Sequence, residues 1–369
     1  MSVTVKNYDS VKDPAKYKDI SKEFTMDSPF GMKASIITYG CIIRELWVPD
    51  KDGELKDIML GLKGLDEYMI DDANHGAVVG RSANRIANAT FVLNGEIYHV
   101  PVNDGIHNLH SGKPGYHNVF WDGSVLSIDE VNEYISASGI PGIPSAAAEG
   151  VCLKYTSPDG ATGFPGNLDT TVVYAFLEDK TFLILYKGVS DKDTIFAPTN
   201  HAYFNLSGHD HGYIGNNILT VYADKVTTKD EGCCPTGELF DVEGTDFDFR
   251  TGAPVRQALE SSDPQITDSL GLDSNFCVDS EEGRFTVIAK LEDDSSSRVM
   301  EVLTDMPGVQ LYTGNHLNCD YAKGGSYKGN DGICLEAQMY PNAINIPSFT
   351  SPVIKAGEVA YHAVGYRFS

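Results

Sequence analysis

Residues 32–48 read Met32-Lys33-Ala34-Ser35-Ile36-Ile37-Thr38-Tyr39-Gly40-Cys41-Ile42-Ile43-Arg44-Glu45-Leu46-Trp47-Val48, two runs rich in β-branched residues broken at Gly40. The turn sequence Pro49-Asp50-Lys51-Asp52-Gly53 follows. Strand, bend, strand and turn is the texture of an antiparallel sheet. It recurs outward along the chain. Thr90–Val100 centres Asn94-Gly95 on apolar flanks, the strongest short-range hairpin signal, and predicts one packed and one wet face. Val151–Thr156, Leu168–Leu177 and Thr181–Val189 are separated by turn residues at sandwich-like spacing, and Phe285–Leu291 and Arg298–Leu303 flank the Asp-Ser-rich turn at 292–297.

Helical periodicity is nearly absent, with one short turn each predicted at Leu65–Met69 and Val255–Leu259. The segment 127–150, which contains Gly139, Pro141, Gly142 and Pro144, reads as a surface-loop excursion between two strands. The texture on either side does not change in composition. The expectation is therefore an all-β chain, with residues 1–369 forming one large antiparallel β-sandwich domain.

Composition narrows the function. Apolar residues are 41% and charged residues 22% of the chain, enough for a sizeable core. The net charge of −24 would repel a phosphate backbone or an anionic membrane, so nucleic acid and membrane are excluded as expected partners and a neutral small molecule suits it better. The seven cysteines are odd in number and contain no CxxC, which points to neither a disulfide framework nor a zinc site. There is no signal-peptide core and no run of 18 apolar residues, so a soluble cytoplasmic protein is expected, either monomer or homodimer.

Several stretches concentrate polar groups. Gly80-Arg81-Ser82-Ala83-Asn84-Arg85-Ile86 offers two guanidiniums and an amide, although an arginine can equally tie loops together. His107 and His110 are spaced to bind a metal, but no thiol and no further histidine completes the set nearby, and no metal is expected. His201, in Pro198-Thr199-Asn200-His201-Ala202-Tyr203-Phe204-Asn205-Leu206, is a candidate proton donor near neutral pH, with a structural histidine as the alternative. Glu336 interrupts the apolar Gly332-Ile333-Cys334-Leu335-Glu336-Ala337-Gln338. It either points outward on an alternating strand or faces a cavity with a purpose. No phosphate-cradling glycine loop and no Gly-x-Ser-x-Gly elbow occurs, which argues against nucleotide chemistry and serine hydrolysis.

Taken in order, Gly80–Ile86, Asn108–Gly112, Ser157–Gly160 with Gly163–Asn167, Thr199–Leu206, Gly271–Asp273, Gly308–Asn315 and Leu335–Gln338 closely resemble the aldose 1-epimerases, from about residue 30 to the C-terminus. The resemblance implies a galactose mutarotase-like sandwich that binds a free hexopyranose in an open cleft, needing no metal, nucleotide or other cofactor. It implies His201 as the acid that protonates the ring oxygen and Glu336 as the base that takes the anomeric proton. Ring opening, rotation about C1–C2 and reclosure then exchange the α and β anomers. It further implies that Asn84, Arg85, His110, Tyr203, Asp273 and Gln310 hold sugar hydroxyls or orient the ring. A protonated imidazole opposite an ionised carboxylate would supply the two proton transfers.

Three positions depart from the family's pattern: Ser274 where His is common, Ser111 where Gly is usual, and Asn342 where Asp is common. Two other readings compete. A non-catalytic sugar sensor would lack His201 or Glu336, and both are present. A glycoside hydrolase would need a second carboxyl opposite Glu336, for which Asp273 is the candidate.

Overall fold

The two runs flanking Gly40 form the strands Lys33–Ile37 and Ile42–Pro49. They lie within a five-stranded antiparallel sheet that runs in chain order from Thr4–Asn7 through Lys22–Asp27 to Leu55–Asp57. Gly40 has φ +62°, and a Cβ there would lie 2.8 Å from the His117 carbonyl oxygen, so this bend admits no side chain. The computed structural model describes residues 2–279 and 283–369.

A nine-stranded antiparallel sheet forms the centre. Its order is Asp122–Leu126, Gly150–Ser157, Leu168–Phe176, Thr181–Ser190, Val359–Phe368, Arg298–Thr304, Thr286–Asp293, Ile218–Val221 and Ala253–Pro254. The chain therefore closes this sheet with its last strand, placed between strands that are far apart in sequence. Side chains alternate between two cores. Val172, Tyr174, Phe182, Ile184 and Tyr186 join the main core, shared with Phe24, Ile36 and Leu46 of the N-terminal sheet and with Val309 and Leu335. Val173, Ala175, Leu183 and Leu185 point the other way, into a separate cluster.

That second cluster corrects the reading of 127–150. The segment contains an eleven-residue helix, Ile128–Ser138, whose Val131, Tyr134 and Ile135 pack onto the outer face of the central sheet. A capping box starts it: Glu130 N donates to the Ser127 hydroxyl and Ser127 N to the Glu130 carboxylate, while Gly139 at φ +65° ends it. A central sheet buried on both faces must be covered twice, and this helix is part of the second cover. The turns expected at Leu65–Met69 and Val255–Leu259 are the one-turn helices Leu65–Tyr68 and Arg256–Leu259. The Asn94-Gly95 hairpin joins Thr90–Leu93 to Glu96–His99, with φ +53° and +82° at the two turn residues, as a primed turn requires.

A second five-stranded sheet positions the polar groups. Its order is Pro235–Asp241, Lys225–Lys229, Asp273–Cys277, Gly308–Tyr312 and Cys334–Gln338. Asn275, Gln310 and Glu336 lie side by side in register, as do Asp273, Tyr312 and Cys334. Because strands alternate, Val309, Leu311, Leu335 and Ala337 enter the main core while Gln310, Tyr312, Cys334 and Glu336 share the opposite face.

Candidate active site

The opposite face of that sheet floors a cavity of about 640 Å³, lined among others by all eight residues singled out above: Asn84, Arg85, His110, His201, Tyr203, Asp273, Gln310 and Glu336. Glu336 follows the second reading of its strand: it is buried, and the alternating face it shares is the cavity floor.

His201 reaches this floor from a neighbouring segment sewn to the same strand. Thr199 Oγ1 donates to the Ala337 carbonyl at 2.6 Å, and Phe204 and Ile333 exchange main-chain hydrogen bonds at 2.8 and 3.0 Å. On the other side, His201 N donates to the Ala77 carbonyl and Gly76 N to the His201 carbonyl. The imidazole Nε2 then stands 3.8 Å from Glu336 Oε1, with both side chains buried. Glu336 Oε2 is buried and has no hydrogen-bond partner among the described residues, an unusual state for a carboxyl oxygen and one that a ligand hydroxyl would satisfy.

Burial pushes the Glu336 carboxyl well up from its ordinary range, with Asp273 adding to the effect and Arg85 opposing it. Burial likewise pushes His201 down to about 4, reinforced by His75. The protein environment therefore favours the proton on Glu336 with a neutral His201, not the ionised pair anticipated from the sequence. Both arrangements hold one proton between the two groups.

The remaining residues form a hydrogen-bonded wall. Asn84 N donates to His110 Nδ1 at 3.1 Å, which leaves the His110 proton on Nε2; burial holds this ring neutral, well below the ordinary histidine range. Gln310 Nε2 donates to Asp273 Oδ1 at 2.6 Å, and Arg85 spans two carboxylates, with Nε 2.7 Å from Asp104 Oδ2 and Nη1 3.8 Å from Asp273 Oδ2. Tyr203 packs its ring 5.0 Å from that of His201, while its hydroxyl donates to the Ala73 carbonyl. The two arginines of the Gly80–Ile86 stretch divide the two readings offered for them. Arg81 is buried away from the cavity and donates to the carbonyls of Ser157, Pro158, Pro165 and Gly166 and to two hydroxyls. It ties together the loops of the 157–167 motif.

His107 and His110 serve different sites, since His107 Nδ1 accepts from Asn88 N and its ring lines a neighbouring cavity. Among the described residues, the ligand atoms of His201, Cys334 and Glu336 all lie within 4.8 Å of one another. The thiol approaches Nδ1 of the imidazole at 3.6 Å and the carboxylate approaches Nε2, so an ion bound in the ring plane at one nitrogen turns away from the ligand at the other.

Sequence reasoning did not single out Cys334, Tyr312, Asp71 or His75. Cys334 and Tyr312 were within reach of it, being two residues from Glu336 and Gln310 on alternating strands. Asp71 and His75 carry no such signal. Asp71 accepts from the main-chain N of Ala73 and His75 and pairs with His75 Nδ1 at 3.0 Å, and the His75 ring lies 5.0 Å from that of Tyr203.

The chain is similar to known proteins over most of its length. The family described as Aldose 1-epimerase matches residues 22–367. The chain is 37% identical over 341 residues to galactose mutarotase of Bos taurus, covering 92% of this chain and 91% of that one. It is 34% identical over 348 residues to aldose 1-epimerase of Haemophilus influenzae, covering 93% and 94%. The crystal structure of galactose 1-epimerase from Lactobacillus acidophilus superposes with a TM-score of 0.82 at 27% identity, covering 100% of this chain and 99% of that one. The chain belongs to the aldose 1-epimerase family and is, with it, an isomerase.

Proposed function

We propose that the protein interconverts the α and β anomers of a free aldohexose such as glucose or galactose, with His201 and Glu336 as the proton-handling pair. The observation that carries this reading is the 3.8 Å approach of His201 Nε2 to Glu336 Oε1 on the floor of a polar, sugar-sized cavity. Glu336 removes the anomeric proton while His201 protonates the ring oxygen, and the ring opens to the aldehyde. Ring opening draws on the ionised form of the pair, the less populated one in the empty cavity, and leaves Glu336 protonated and His201 neutral, the distribution that burial favours. After rotation about C1–C2 the same two groups act in reverse and close the ring on the other face. Each transfer of this kind is worth about 10²–10⁴-fold.

Arg85, Asp273, Gln310, Asn84 and the Nε2–H of His110 offer donors and acceptors to the sugar hydroxyls, and Tyr203 orients His201 through ring packing. A hydrolase needs a second carboxyl across from Glu336; Asp273, the candidate for it, accepts from Gln310 and faces Arg85, whereas the group 3.8 Å from Glu336 is the His201 imidazole. The seven free cysteines, six of them buried, favour a reducing compartment such as the cytosol. No helix among the described residues is long and apolar enough to cross a membrane. Polarimetry of freshly dissolved α-D-galactose and α-D-glucose tests the reading. The protein accelerates the approach to equilibrium rotation over buffer alone, and an unaccelerated approach with both sugars would refute it.

A further inference from the structure

Lys229 ends the strand Lys225–Lys229, beside the strand that begins at Asp273, and its side chain is buried. Its Nζ donates to the Ser269 hydroxyl at 2.7 Å and to the Asp273 main-chain carbonyl at 2.9 Å. Gln265 holds the lysine in place through its own amide, accepting from Lys229 N and donating to the Lys229 carbonyl, both at 3.0 Å. Asn315 completes the fastening of the 269–273 loop by donating to the Ser269 and Leu272 carbonyls.

A buried ammonium is costly to desolvate and is normally compensated by a carboxylate partner. Lys323, whose side chain is also largely shielded, follows that rule by pairing with Asp57. Lys229 does not: among the described residues it makes no ion pair, and two of its three N–H groups go to a hydroxyl and a carbonyl at the base of Asp273. Burial lowers its basicity, and the negative charge of Asp273 opposes that. A neutral side chain could fill this place at lower cost, so the charge points to a task at Asp273.

We propose that Lys229 is a positioning residue for sugar binding, its buried ammonium fixing the main chain at Asp273 so that the carboxylate meets the sugar in the orientation set by Gln310 and Arg85. This rests on reading the cavity as a hexose site. Lys229 touches no reacting atom, so its contribution falls on substrate affinity and not on proton transfer.

The test measures kcat and KM for galactose in Lys229→Met, Lys229→Gln, Asp273→Asn and the double variant Lys229→Met/Asp273→Asn. Lys229→Met raises KM about tenfold with kcat within about twofold, and in the Asp273→Asn background it adds little further, because the two act through one contact. Lys229→Gln, which keeps a donor but no charge, raises KM by less. If Lys229→Met does not fold, Lys229→Gln alone and on Asp273→Asn is read by the same criteria. A KM within about twofold of wild type, or a Lys229 effect that persists undiminished beside Asp273→Asn, overturns the proposal. A wild-type protein inactive on both galactose and glucose overturns the hexose reading, and this proposal with it.

Discussion

His201 Nε2 lies 3.8 Å from Glu336 Oε1 although 135 positions (336 − 201) separate the two residues. The closeness is built by main-chain hydrogen bonding, because the Thr199–Phe204 segment is fastened at Ala337 and Ile333 on either side of Glu336. The pair is therefore held by sheet geometry, independently of its own weak mutual contact, and this rigidity suits a site that must act identically on both faces of an opened sugar.

The one-proton state of the pair sets the pH dependence. Acid adds a second proton as pH falls through the His201 value of about 4, and base removes the only proton as pH rises through the raised Glu336 value. A plot of kcat/KM against pH is expected to fall on the acid side through the His201 value and on the alkaline side through the raised Glu336 value. A single sigmoid centred near the ordinary histidine value of about 6.5 would contradict this assignment.

Stability should weaken in mild acid. His110, His117 and His201 are all depressed by burial, the last two to about 4, so between about 4 and about 6.5 the unfolded chain binds more protons than the folded one. Their contribution is complete above the unfolded value and is lost as pH falls through that window, each group adding a slope of about 1.4 kcal/mol per pH unit. The raised Glu336 works in the opposite sense and offsets about one of them. Urea midpoints at pH 7 and pH 4.5 check this, with a clearly lower midpoint at pH 4.5.

Arg81 is predicted to be structural and outside the chemistry. Replacing it by Met leaves the carbonyls of Ser157, Pro158, Pro165 and Gly166 without that donor, at a cost of at least ~3 kcal/mol. Chemical denaturation reads this as a lower midpoint, and the protein that remains folded should keep a wild-type KM. A raised KM at unchanged stability would place Arg81 in the site instead.

Ser127→Ala tests the helix over the outer face of the central sheet. Loss of its capping box should cost about 1 kcal/mol and leave both kcat and KM unchanged, since the helix packs on the side away from the cavity. Equal stability would mean that the cap contributes nothing to the folded state.

Much of this architecture is legible along the chain wherever two-residue alternation or turn chemistry is local, as at Gly40, at Asn94-Gly95 and around the Asp-Ser turn. The helix Ile128–Ser138 was missed because the Gly-Pro-rich tail of its segment dominates the composition. Yet Ser127 with Glu130, and apolar residues at 131, 134 and 135, spell out a capped helix face. The eight residues line one cavity, but their proton states were not readable: the pKa of a histidine or glutamate is set by burial among distant segments. Lys229 was invisible for the same reason, its Nζ partners lying some forty residues away, and the Asp71–His75 pair, though local, is brought to the site only by the packing of His75 on Tyr203.

The most direct test of the central claim is the polarimetric rate for His201→Asn and Glu336→Gln, each compared with wild type and each shown by circular dichroism to keep the fold. The account predicts that either substitution removes at least about 10²-fold of the acceleration while the sugar still binds. A folded variant of either residue that brings α-D-galactose to equilibrium at the wild-type rate would contradict it.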